Sequence, residues 1–177
     1  MTPGAVLWIT GLSAAGKSTL AREAAARLRS SGRTVILLDG DELRAAMGAA
    51  SGTGEHTRER RLELAHRYGR LCRLIAAQGA TVVIATISLF HEVHAWNRAN
   101  LPGYFEVFLR VPLEELRRRD PKGIYRRYDC GELTDIAGLD MPIDEPNQPD
   151  WAVEFTSGRD CASVADELME RLDKRKF

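Results

Sequence analysis

Residues 11–19 read Gly-Leu-Ser-Ala-Ala-Gly-Lys-Ser-Thr (GLSAAGKST); they follow the apolar run AVLWIT at 5–10 and lead straight into STLAREAAARLR at 18–29. A strand, a glycine-bracketed loop matching GxxxxGK(S/T) and a helix, in that order, make the context in which this motif cradles nucleotide phosphates. Gly11 and Gly16 permit the tight turn, and Leu12, Ser13, Ala14 and Ala15 supply N–H groups that point, with the helix N-terminus, at phosphate oxygens. Lys17 is placed to neutralise the β- and γ-phosphates, and the Ser18 hydroxyl to ligate Mg²⁺.

Outward from the loop, two kinds of segment alternate. Short β-branched runs at 5–10, 34–39 (TVILLD), 81–86 (TVVIAT) and 104–111 (YFEVFLRV) predict buried parallel strands. Helical patterns lie between and after them, at 18–29, 56–78, 113–119 and 161–173, with Gly79 as a stop signal. This alternation predicts an α/β fold: a P-loop NTPase-type three-layer sandwich with a mostly parallel five-stranded sheet, in one domain over 1–177. Residues 120–149 break the rhythm with four prolines and three glycines. So long an irregular segment in a compact domain reads as a lid or binding segment.

Bulk properties narrow the function. The 177 residues carry 25 Lys+Arg against 25 Asp+Glu, so the basic excess of a duplex-binding protein is missing and no nucleic-acid partner is expected. Cys72, Cys130 and Cys161 are odd in number and scattered, which implies neither a disulfide framework nor a zinc site. The N-terminus lacks the basic region of a secretory signal, and no apolar run approaches the ~20 residues that span a bilayer. The expectation is a cytoplasmic protein with no membrane partner.

The second constellation is LLDGDELR at 37–44. Asp39, Asp41 and Arg44 stand at the carboxyl end of the second predicted strand, the edge where parallel sheets bind ligands. One acid can hold Mg²⁺ or accept a hydroxyl proton, and the arginine can grip an anionic acceptor. The structural alternative makes Asp41 the N-cap of a short helix. No NKxD stretch reads a guanine base, and 177 residues leave little room for the extra domains of a motor. A small phosphate-loop domain with a long lid fits a kinase for a small acceptor.

The chain as a whole resembles the adenylylsulfate kinases, which phosphorylate the 3′-hydroxyl of adenosine 5′-phosphosulfate (APS). WITGLSAAGKSTLA is similar to that family's WxTGLSGAGKTTLA, LLDGDELR to its LDGDxxR, and FEVFLRVPLEELRRRDPKGIYRR at 105–127 to its strand, helix and RDxKGLYKK segment. The resemblance implies that Gly11 through Thr19 bind ATP with Mg²⁺, with Arg119 nearby. It implies a base or metal-linked carboxylate at Asp41, so that Ser18 and Asp41 hold the metal, and it makes Lys17 and Lys122 catalytic cations. Acceptor contacts would come from Asp39, Arg44, Arg61, Lys122 and the Ile87-Ser88-Leu89-Phe90 loop, where Ser88 either faces the acceptor or ends a strand. A homodimer is also implied.

The departures from that family cluster around the acceptor. MGAASGTGEHTRERRLELAHR at 47–67 carries no phenylalanine, Leu64 falls where the family has asparagine, and Ile136 falls where the lid has its second aromatic. The two rings that sandwich adenine are thus both replaced, removing stacking worth roughly 1–3 kcal/mol per base. In SLFHEVHAWNR, Phe90 and Trp96 could pack another base, or pack a helix on the sheet, and His91, His94 or Arg98 could reach acceptor phosphates. HEVH lacks the HExxH spacing of zinc proteases. This loop resembles a divergent branch whose acceptor is cytidine diphosphoramidate. Three alternatives stay open: a true APS kinase, a kinase for a non-nucleotide metabolite, and an ATP-binding regulatory module.

Overall fold

The structure, a computed structural model, describes residues 3–48 and 57–177. Its strands are β1 (Val6–Gly11), β2 (Val35–Asp39), β3 (Thr81–Thr86), β4 (Phe105–Arg110) and β5 (Trp151–Glu154). All pairings are parallel, in the order β2-β3-β1-β4-β5. The helices are α1 (Lys17–Ser30), α2 (Gly40–Ala46), α3 (Arg58–Ala76), α4 (His91–Asn100), α5 (Leu113–Arg119), α6 (Ile124–Asp129) and α7 (Cys161–Lys174). The expected α/β sandwich and its five-stranded parallel sheet are present. No helix among the described residues is long and apolar enough to cross a membrane.

Strand alternation divides the core into two layers. Leu7 and Ile9 face α1 and α7 with Val83, Val107, Leu20, Ala24, Leu168 and Leu172. Val6 and Trp8 face α3 and α4 with Val82, Ile84, Tyr68, Cys72 and Val93. Every residue of β1 and β3 is buried, whereas the outer strands β2 and β5 are only partly so. Covering both faces is what makes AVLWIT and TVVIAT read as unbroken apolar runs. β1 lies between β3 and β4, and the chain leaves it towards β2 while β3 returns to β4. That reversal opens a crevice at the carboxyl edge of β1, where residues 11–19 begin.

Two elements, β5 and α6, have no counterpart in the sequence reading, and α2 is the short helix of the structural alternative at 37–44. β5 is a four-residue edge strand after a proline-rich stretch, and α2 and α6 have seven and six residues. Such short pieces complete too few periods to be seen by pattern. α4 was read as a loop or as a packing helix, and it is a helix. Residues 120–149 are therefore not wholly irregular: they hold α6 and an isolated bridge between Ala137 and Met141. His56, the expected start of the long helix, lies outside the described residues.

One buried polar knot ties α4, β4, β5 and α7 together. Glu106, beside Trp8 in the sheet, is 2% exposed. Its carboxylate accepts from the Tyr104 hydroxyl at 2.9 Å and from Arg98 at 3.3 Å, and the His94 imidazole abuts it. Asp150 accepts from the Glu106 N–H at 2.9 Å and pairs with Arg98 and Arg175. Removing the buried carboxylate leaves the Tyr104 hydroxyl without its acceptor, while Arg98 keeps Asp150. Glu106→Ala is therefore expected to cost about 1–3 kcal/mol of unfolding free energy. Urea denaturation would show this, and an unchanged midpoint would refute it.

Candidate active site

The site is built where α1 begins. Gly16 caps α1 with φ 97°, and Ala14 also takes a left-handed φ of 63°, so the loop turns its amides inward over the helix end. Lys17 folds back so that its Nζ donates to the Leu12 carbonyl at 2.7 Å. Burial pushes the Lys17 ammonium down to about 8, with Asp41 and Asp39 opposing that fall and Lys122 and Arg44 adding to it. The loop thus holds a partly dehydrated cation beside its own backbone amides.

The lid grips this loop at three successive residues. The Tyr125 hydroxyl on α6 donates to the Ser13 carbonyl at 3.0 Å, and Arg119 Nη1 donates to the Ala14 carbonyl at 3.3 Å. Gly138 rests against Leu12 with φ 84°, and a Cβ there would lie 2.8 Å from Leu12 Cδ1. Only glycine combines that backbone with that approach. Tyr125 was not singled out from sequence, although GIYRR lies in the segment that carried the family resemblance; only its partner identifies it.

β2 and α2 bring the acidic residues. Asp39, not Asp41, is the N-cap of α2, accepting from the Asp41 N–H at 2.9 Å. The other oxygen of Asp39 accepts from the Ser18 hydroxyl. Asp41 instead is flanked by two cations, with one oxygen on Lys122 Nζ and the other on Arg44. Partial burial raises the Asp41 pKa, but Lys122 and Arg44 outweigh it and hold the carboxyl below its usual value. The carboxylate beside Ser18 is therefore Asp39, and Asp41 joins α2 to the lid. Tyr68 of α3 supports the turn from below, donating to the Gly40 carbonyl at 3.1 Å.

On the acceptor side, Arg61 of α3 donates to the Asp135 carbonyl of the lid at 2.7 Å. Burial and the neighbouring Arg44 lower the pKa of Arg61, so the two guanidinium groups lie near one another. The loop after β3 contributes backbone and wall more than reaching side chains. The Ile87 carbonyl accepts from Thr10, and Ser88, with φ 31°, shares a 2.8 Å hydrogen bond with Thr86. Leu89 and Phe90 are 1% and 6% exposed, so their side chains belong to the interior rather than an open pocket. His91 Nε2 meets the Glu145 carbonyl at 2.9 Å. His94 and Arg98 are committed to Glu106, far down β4, and Trp96 packs edge-on to His66 and against Gly69. None of these three reaches the phosphate-binding edge.

A separate cavity of about 260 Å³ opens beside Ala15, Gly16 and Thr19, walled by Arg119, Phe155, Thr156 and Cys161. Arg119 lies over the Phe155 ring at 5.1 Å. Its place beside the helix end suits the base of a nucleotide whose phosphates occupy the loop. Ser18 and Asp39 offer the hard oxygen donors that suit Mg²⁺, which takes the rest of its shell from phosphate and water. Among the described residues no cluster of three or more His, Cys, Asp or Glu forms a protein-only metal cage.

The adenylylsulphate kinase profile matches residues 3–154. The bifunctional enzyme NodQ of Azospirillum brasilense is 36% identical over 173 residues, 97% of this chain, which spans 27% of that longer protein. Cytidine diphosphoramidate kinase of Campylobacter jejuni is 29% identical over 170 residues, covering 96% of this chain and 95% of its own. Among solved structures, the Mycobacterium tuberculosis APS kinase in complex with AMPPNP and APS superposes with a TM-score of 0.87 at 33% identity, over 98% of this chain and 99% of that one.

Proposed function

The chain belongs to the adenylylsulphate kinase family, and from that premise we propose that it transfers the γ-phosphoryl group of ATP to the ribose 3′-hydroxyl of cytidine diphosphoramidate. As a member of that family it is a P-loop phosphotransferase with an alcohol acceptor, using ATP and Mg²⁺. The acceptor reading rests on Ile136, a half-buried aliphatic side chain at the lid position of the second aromatic, which offers no ring to an adenine. Leu64, at the asparagine position, packs on the core instead of reaching an acceptor with an amide. Part of the segment that lacks the first aromatic, 49–56, lies outside the described residues.

In this reading Gly11–Thr19 bind the donor phosphates, with Lys17 and Arg119 as cations. Ser18 and Asp39 hold Mg²⁺, which when bound offsets charge on the phosphates. Asp41 orients or deprotonates the acceptor hydroxyl once Lys122 turns from it towards the migrating group. Arg44 and Arg61 take the acceptor's anionic groups. The lid contacts at Leu12, Ser13 and Ala14 keep water from the donor. A homodimer in the cytoplasm completes the proposal.

The test is ADP release with Mg·ATP, offering cytidine diphosphoramidate and APS separately and weighing the product. Turnover of the cytidine compound with little on APS is expected. The reverse preference would overturn the acceptor assignment and make the chain a true APS kinase.

A further inference from the structure

The phosphate contacts and LLDGDELR leave unexplained why the loop after β3, with its left-handed Ser88, keeps its shape. Its fastening comes from across the molecule. Arg58, the first residue of α3, pairs with Asp144 at 2.8 Å, and its guanidinium carbon lies 5.1 Å from the centre of the Phe90 ring. Asp144 in turn donates its N–H to the Leu89 carbonyl at 3.0 Å and accepts from the His91 N–H at 3.4 Å. The neighbouring Glu145 carbonyl meets His91 Nε2. Arg58 thus touches the loop through Phe90 directly and through Asp144 indirectly.

Arg58 and Arg61 are three residues apart and so share a face of α3. Arg61 holds the ascending part of the lid at Asp135, and Arg58 the returning part at Asp144. Residues 87–91 are clasped between that return and α3. A φ of 31° at a serine persists only where its surroundings over-determine it. The pair is partly shielded, with the two side chains 36% and 29% exposed, and a guanidinium face on an aromatic ring adds to its attraction.

We infer that Arg58 is a positioning residue for the acceptor: through Asp144 and Phe90 it sets the 87–91 loop that walls the acceptor site, without touching the donor. The inference rests on the phosphotransfer reading above for where the acceptor sits. Lysine at this position keeps the charge opposite Asp144 but loses the flat face over Phe90.

Arg58→Ala and Asp144→Asn are each expected to raise KM about tenfold for whichever of cytidine diphosphoramidate and APS the wild type turns over. KM for ATP and binding of a non-hydrolysable ATP analogue should stay within about twofold. Arg58→Lys should recover part of the loss. A purely structural role would instead lower Tm and weaken both substrates together. Hydrogen exchange supplies a readout independent of any acceptor: the His91 amide should exchange faster in both variants. If wild type turns over neither acceptor, the functional reading fails while the exchange result still decides the clasp. Unchanged acceptor KM, or, where no acceptor is turned over, unchanged exchange at 87–91, overturns the inference.

Discussion

Lys17→Met is expected to abolish phosphotransfer, by about 10²–10³-fold or more, while the protein stays folded. Lys17 sits in the turn of the phosphate loop, its Nζ donating to the Leu12 carbonyl at 2.7 Å. Charge developing on a migrating phosphoryl group needs a fixed cation at that place, and methionine keeps the stem without the charge. The same burial that prepares the ammonium makes it costly to the fold. Its folded value of about 8 lies below the ordinary 10.5, so between those pH values the unfolded chain binds more protons and stability rises with pH. Below pH 8 the buried charge opposes folding in full. Lys17→Met should therefore melt at or above the wild-type temperature at pH 7, an advantage that shrinks from pH 8 to 10.5. Bound phosphates favour the ammonium, so wild-type affinity for an ATP analogue should weaken as pH rises through about 8. Near-normal turnover by Lys17→Met would end the assignment of this loop to the donor.

Asp41→Asn should lower kcat by about 10²–10⁴-fold and leave ATP affinity nearly unchanged. Asp41 does not share the Ser18 hydroxyl; Asp39 does. Asp41 is held between Lys122 and Arg44, one from the lid and one from α2, with its carboxyl kept below the ordinary range. It is therefore ionised at neutral pH, ready to accept a proton when Lys122 moves away. Asparagine preserves the shape and the contact to Lys122 but cannot take the proton. Asp39→Asn should behave differently, raising the Mg²⁺ concentration needed for half-maximal rate. Equal Mg²⁺ dependence in the two variants would mean that the acids do not divide the work in this way, and a fully active Asp41→Asn would sink its role as base.

What could be read along the chain follows physical range. The sheet was legible because AVLWIT and TVVIAT are covered on both faces and so carry an uninterrupted apolar signal. α6 was not, because fewer than two turns of helix hold too few periods. The 120–149 segment read as a lid from its prolines and glycines, yet α6 and Tyr125 within it show their purpose only through the Ser13 carbonyl, 112 residues away. Phe90 and Trp96 could each pack a base or pack a helix on the sheet, with packing the favoured reading for Trp96. Burial turns the Phe90 side chain inward, and contacts with His66 and Gly69 hold Trp96 on α3; both are properties of neighbours rather than of residue type.

By itself the sequence determined the donor half of this protein. GLSAAGKST is one contiguous turn whose glycines, backbone amides and lysine act over a few bonds, so its chemistry travels with its spelling. The division between Asp39 and Asp41 belonged to the tertiary structure alone. It depends on Ser18, 21 residues from Asp39, and on Lys122, 81 residues from Asp41. The clasp of Arg58 on Asp144 spans 86 residues. Contacts at such separations are set by how the sheet edge and the lid return are folded together, and no local pattern of residue types encodes which oxygen a distant cation will meet.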